Sequence, residues 1–196
     1  MGPTEIGGLP AHVLLVHVVV VLVPLTAVLL AVTGCWPRAR RRLGVLVPLL
    51  ALAALVSVPL TTHAGEWLAA RVPQSPLIRA HTQLGDTMLP WAIALFVVAL
   101  LVWGQRYLPA RFGSPARADA PGAAPSPAWV RGRSAIRAGN RVAVAIAAIS
   151  AVVALATAVG SVVQVYRIGE SGSRAVWAGH FSQQPLLRQG PHRRAG

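Results

Sequence analysis

Four long apolar stretches, bounded by polar residues and prolines, organise this chain of 196 residues. The first covers residues 11–33, AHVLLVHVVVVLVPLTAVLLAVT, and holds no charged side chain. A helix rises about 1.5 Å per residue, so about 20 residues cross the ~30 Å hydrocarbon core of a bilayer. Pro10 stands near the first helical position, Pro24 predicts a kink, and Gly34 a C-terminal stop. The second stretch is residues 43–62, with Pro48 and Pro59 inside it. Ser75-Pro76 is a helix start, Ser as N-cap and Pro behind it. It predicts one long helix over residues 76–104, whose first three turns stand at or above the membrane interface. The fourth stretch, residues 142–166, is rich in Ala, Gly and Ser. Small residues let helices approach closely in lipid, which places this span at the centre of the bundle.

Between the spans the chain changes character. Residues 37–42 are a short loop crowded with Arg38, Arg40, Arg41 and Arg42, and residues 63–75 return to polar chemistry. Residues 105–141 form a Pro/Ala/Gly-rich inner loop with too little apolar surface to fold. Residues 1–10 make a short N-terminus and residues 178–196 a disordered polar tail. The pattern predicts an all-α fold: a polytopic integral membrane protein, built as a four-helix transmembrane bundle.

Composition agrees. Hydrophobic residues make up 55% of the chain and charged residues 12%, about half the usual share of a soluble domain. Mean hydropathy is +0.59. Cys35 is the only cysteine, which excludes an intrachain disulfide or a cysteine metal cluster. The N-terminal residues carry Glu5 and no basic residue, so a retained first span is expected instead of a cleaved signal.

The net charge of +13 comes from arginine alone. Eleven of the eighteen arginines lie in the loops after spans one and three, and two follow span two. By the positive-inside rule the Arg-rich loops are cytoplasmic and both termini lie outside the plasma membrane. Scattered loop arginines need no nucleic acid; contact with anionic lipid headgroups accounts for them.

With that topology His12, His17, His63, Glu66, His81, Asp86 and Glu170 all fall on the outer side. The positive-inside rule does not demand this asymmetry. His12 and His17 are five residues apart, about 140° around a helix, so one faces the bundle and the other does not. Neutral imidazole is the commonest metal ligand, and a bis-histidine haem iron needs two rings from different helices. The candidate ligands are His12 or His17 with His81, and Met88 is a lesser axial candidate. Glu66 and Asp86 are candidate orienters of those rings. His63 and Glu66, three apart, share a helical face and form a second candidate pair for a divalent cation. His180 and His192 lie in the solvated tail. No Walker loop, HExxH, CxxC or nucleophile elbow is present, and no catalytic residue is assigned.

Leu9-Pro10-Ala11-His12 followed by Val16-His17 resembles the opening signature of a bacterial membrane-protein family catalogued as domain of unknown function 2231. The resemblance continues through Thr62-His63-Ala64-Gly65-Glu66-Trp67, Arg71-Val72-Pro73, His81-Thr82-Gln83-Leu84-Gly85-Asp86 and Gly169-Glu170-Ser171-Gly172 with Ala175-Val176-Trp177. It implies a four-span membrane protein and supplies no reaction. Glu170 stands where the family pattern leads one to expect His or Asp.

The leading expectation is a membrane protein whose outer-face cluster binds b-type haem or a transition metal for electron transfer, with an outer-side or membrane redox partner. The alternative is a non-enzymatic component whose polar cluster stabilises the bundle or docks a partner. A transporter is disfavoured, because no acid or histidine lies at the midplane of spans two to four.

Overall fold

The structure, a computed structural model, describes residues 4–107 and 128–179. Most of the inner loop (residues 108–127) and the tail from residue 180, with His180 and His192, lie outside the described residues.

A two-residue antiparallel ribbon opens the chain: β1 (Glu5–Ile6) pairs with β2 (Leu9–Pro10). Gly7 and Gly8 have φ of 58° and 78°, the positive values that a tight hairpin turn requires. The first helix, α1 (Ala11–Cys35), follows at once and runs through Pro24. A short helix, α2 (Pro37–Leu43), occupies the expected arginine loop, with Pro37 in its first turn. The next helix, α3 (Leu46–Ala69), continues two turns beyond the expected end at residue 62. His63, Gly65 and Glu66 are therefore helical.

The expected single helix over residues 76–104 is two helices, α4 (Pro76–Asp86) and α5 (Met88–Gly104), separated at Thr87. Pro90 supplies the reason. It sits in the first turn of α5, where its missing N–H is tolerated, but its ring clashes with the carbonyl four residues earlier, at Asp86. Thr87 closes the break by donating its hydroxyl to the Leu84 carbonyl at 2.6 Å. A 3₁₀ turn (Gln105–Tyr107) ends α5. The last helix, α6 (Ala128–Trp177), has 50 residues and extends beyond both expected limits. Residues 128–141, expected in the unfolded inner loop, are its first turns, and residues 167–177 its last.

Four helices are long and apolar enough to cross a membrane: Ala11–Cys35, Leu46–Ala69, Pro76–Gly104 across its break, and Val142–Trp177. They pack as a square in the order α1, α3, α5, α6, with α6 returning against α1 and α4 lying mainly on α6. Val23, Leu30, Val58, Leu95 and Val102 fill the centre. The outward faces carry exposed aliphatic side chains such as Ile149 and Val152.

One expectation is corrected here. The Val142–Trp177 span does not sit at the centre; only 17% of its apolar window is buried, the least of the four. Some of its small residues, Ala154, Ala158 and Ser161, are buried on one narrow face, whereas Ala145, Ala148 and Ala156 are exposed. On the buried face a Cβ at Gly160 would stand 2.1 Å from the Trp91 ring, and one at Gly34 of α1 2.8 Å from Ala154. Small residues bring α6 close to α5 and α1 on one side and leave its other sides exposed. Gly34 thus serves close packing, and α1 ends a residue later, at Cys35.

Candidate functional site: two imidazoles at the mouth of the bundle

His12 lies in the first turn of α1. Its Nδ1 is 3.0 Å from the Thr61 carbonyl of α3. A carbonyl only accepts, so Nδ1 carries the proton and Nε2 is left with a free lone pair. Gly65 makes this reach possible: a Cβ there would meet His12 Nδ1 at 2.9 Å. The ring stands close to α3 at Gly65, where a Cβ would also lie 3.0 Å from His12 Cε1.

His81 of α4 repeats the arrangement on the opposite helix. Its Nδ1 is 2.9 Å from Ser171 Oγ of α6. Ser171 has one hydroxyl proton and donates it to the Ile168 carbonyl at 2.8 Å. With its proton on that carbonyl, the Ser171 oxygen accepts from His81, the arrangement that places the His81 proton on Nδ1 and a lone pair on Nε2. Gly172 opens the space, since a Cβ there would stand 3.0 Å from His81 Cε1. The two rings stand 6.4 Å apart between centroids and 79° apart in plane.

Both rings line a cavity of about 620 Å³ bounded by α1, α3, α4 and α6. The volume falls within the range of small-molecule sites, about 300–1,000 Å³. Its walls are mainly aliphatic, among them Val16, Val19, Val58, Ile78 and Ile168. Met88 also lines it and is 3% exposed.

The other candidates stand differently. His17 is exposed, lies outside the cavity lining, and donates Nδ1–H to the Val13 carbonyl of its own helix at 2.6 Å. Glu66 and Asp86 line the cavity and are exposed at its rim. The ring partners are the Thr61 carbonyl and the Ser171 hydroxyl, not these two acids. His63 is exposed and outside the lining. Among the described residues no group of three His, Cys, Asp or Glu side chains converges on a metal position, so the His63–Glu66 pair has no third ligand of these types. Glu170 is exposed and bonds Arg174 at 2.6 Å.

Sequence reasoning gave no role to Thr61, Gly65, Ser171 or Gly172, although the last three stand in the motifs quoted for the family resemblance. A backbone carbonyl leaves no mark in a sequence. The Ser171-Gly172 pair did carry a signal: a short polar side chain beside a missing one, on a span that comes back to the histidines.

At the opposite end of the bundle the polar groups among the described residues are tied to one another. Arg40 of α2 donates Nε–H to the Thr33 carbonyl at 3.1 Å and an Nη2 proton to the Gly34 carbonyl at 3.2 Å, capping α1. It also bonds the Gln105 side chain, which in turn bonds Ser150 of α6. Burial lowers the Arg40 pKa from its ordinary value, yet a guanidinium stays charged in proteins. The space beneath it is about 10 Å³, room for one water.

Comparison of the chain with family models, curated proteins and solved structures finds no match in any of the three.

Proposed function

We propose that the chain is a multi-pass membrane protein that binds one b-type haem between His12 and His81 and serves electron transfer. The observation that carries this reading is the pair of imidazoles with protonated Nδ1 and free Nε2, on facing sides of one apolar cavity. The ring centroids stand 6.4 Å apart, a separation that would leave room for one metal ion between two imidazole nitrogens. Each Nδ1–H is held by an oxygen acceptor, which orients the ring and raises the donor strength of Nε2. Two such ligands suit a haem, whose macrocycle supplies the other four; a tetrahedral zinc site needs more from the protein.

When bound, the haem iron takes up and releases one electron. The chain's own contribution would be to hold two rings and to line the space between them with aliphatic side chains, with Glu66 and Asp86 at the exposed rim. The exposed aliphatic faces support insertion in a bilayer. The arginine distribution supports a plasma-membrane orientation with the histidine end and both termini outside. The motifs shared with domain of unknown function 2231 fall on this end of the bundle, and on this reading they mark the site.

The competing reading is a structural network or docking face. It is favoured by the same two bonds, since His12–Thr61 ties α1 to α3 and His81–Ser171 ties α4 to α6. An absorption spectrum of the detergent-purified chain, made in cells supplied with haem precursors, separates the two. A Soret band that shifts on dithionite reduction, near one haem per chain, is expected, and His12→Ala abolishes it without loss of insertion. A folded, colourless protein overturns the haem reading and leaves the network.

A further inference from the structure

We infer that His81 is the exchangeable ligand of this pair and that release of α4 opens a position, opposite His12, for a neutral diatomic molecule. The inference rests on the haem reading and concerns what distinguishes its two sides. The two histidines have similar hydrogen bonds but stand on very different supports. His12 belongs to a 25-residue helix that buries Val19, Val23, Ala27 and Leu30 in the core. His81 belongs to an 11-residue helix in which no residue is buried.

That short helix is also cut off from its neighbour. The break at Thr87 separates α4 from the buried face of α5. Its apolar side chains Ile78 and Leu84 are only partly buried; the His81–Ser171 hydrogen bond ties it to α6, and Thr87, at the break, bonds Gln164. Elements with few buried apolar contacts open at low free energy, far below that of the whole fold. Swinging α4 outward breaks hydrogen bonds and uncovers little core, whereas moving α1 dismantles the bundle.

The chemistry is a ligand exchange. With haem bound, the bond from His81 Nε2 would break as one from the incoming molecule formed, and no electron or proton would be transferred. His81 keeps its Nδ1 proton throughout. The cavity walls are aliphatic, which favours a small neutral molecule over an anion.

The test uses the full haem-loaded chain in lipid nanodiscs, reduced with dithionite and mixed with carbon monoxide in a stopped-flow spectrometer. The expected wild-type rate rises with carbon monoxide and then reaches a plateau, because His81 must leave first. Ser171→Ala removes one hydrogen bond and raises that plateau about five-fold. His81→Ala keeps the haem through His12 and reacts without a plateau, whereas His12→Ala loses the haem. Refusal of carbon monoxide by the wild type overturns the inference. So does haem retained by His12→Ala but lost by His81→Ala, or a His81→Ala protein kept six-coordinate by Met88. Hydrogen exchange on the haem-free chain reads the support alone, and residues 76–86 should exchange well before residues 11–20. A chain that takes up no haem fails at the earlier reading, and equal exchange in these two segments overturns the labile helix by itself.

Discussion

The two ends of the bundle use the same polar chemistry to opposite effect. At the arginine end, Arg40 satisfies the last carbonyls of α1 and links to α6 through Gln105, over a space of about 10 Å³. At the histidine end, His12 and His81 are also satisfied, but through Nδ1 alone, and they border a cavity of about 620 Å³. A guanidinium has only donors, so once bonded it is finished. An imidazole has two nitrogens, and fixing one defines the state of the other. That difference makes one end a clamp and the other a candidate ligand set.

Four substitutions and one control would break or sharpen this contrast, from the largest effect to the smallest. Gly65→Leu places a side chain where His12 meets α3, with its Cβ 2.9 Å from Nδ1. Haem per chain, read from the pyridine haemochrome, should fall at least about ten-fold, the equivalent of losing one charge-free ligand hold of about 1.4 kcal/mol or more. Recovery of full occupancy would remove the geometric argument for His12.

Gly160→Val tests the packing that both ends share. Its Cβ would stand 2.1 Å from the Trp91 ring, which cannot flex away as a long side chain would. Overpacking of this kind costs about 1–3 kcal/mol, measured as a lower midpoint of detergent-induced unfolding. Arg40→Ala acts at the arginine end alone. It leaves the Thr33 and Gly34 carbonyls without this donor and should cost about 1–3 kcal/mol by the same measurement, with the haem spectrum unchanged. The exposed Arg38→Ala is the control, within about 0.5 kcal/mol of wild type.

His17→Ala has the smallest expected effect. His17 is exposed and bonds only its own helix at the Val13 carbonyl. The Soret position and haem content should match wild type, with stability changed by less than about 0.5 kcal/mol. Loss of the chromophore here, with His12→Ala silent, would exchange the roles of the two histidines.

Much of the architecture was legible in the chain itself. Apolar runs of sufficient length, punctuated by Pro37, Ser75-Pro76 and arginine clusters, determine four long helices and the assignment of polar groups to opposite ends. The break at Thr87 was missed in the expected single helix over residues 76–104, although Pro90 marks it, because a proline acts on the carbonyl four residues before it. The extension of α3 and α6 past their apolar cores was not legible. Hydropathy marks where a helix enters lipid and says nothing of where its hydrogen bonds stop.

Only the tertiary structure decided which histidine of α1 faces the bundle. A five-residue spacing separates His12 and His17 by about 140°, and a helix with apolar residues on every side carries no periodic signal to orient it. The rotation was set by α3, whose Gly65 leaves room for one ring and whose Thr61 carbonyl receives its proton. The same holds for His81, whose partner Ser171 lies 90 residues away in the chain. The sequence by itself determined that imidazoles collect at one end of four helices. Packing decided which two of them share a cavity, because that depends on backbone approaches measured in tenths of an ångström between segments far apart in the chain.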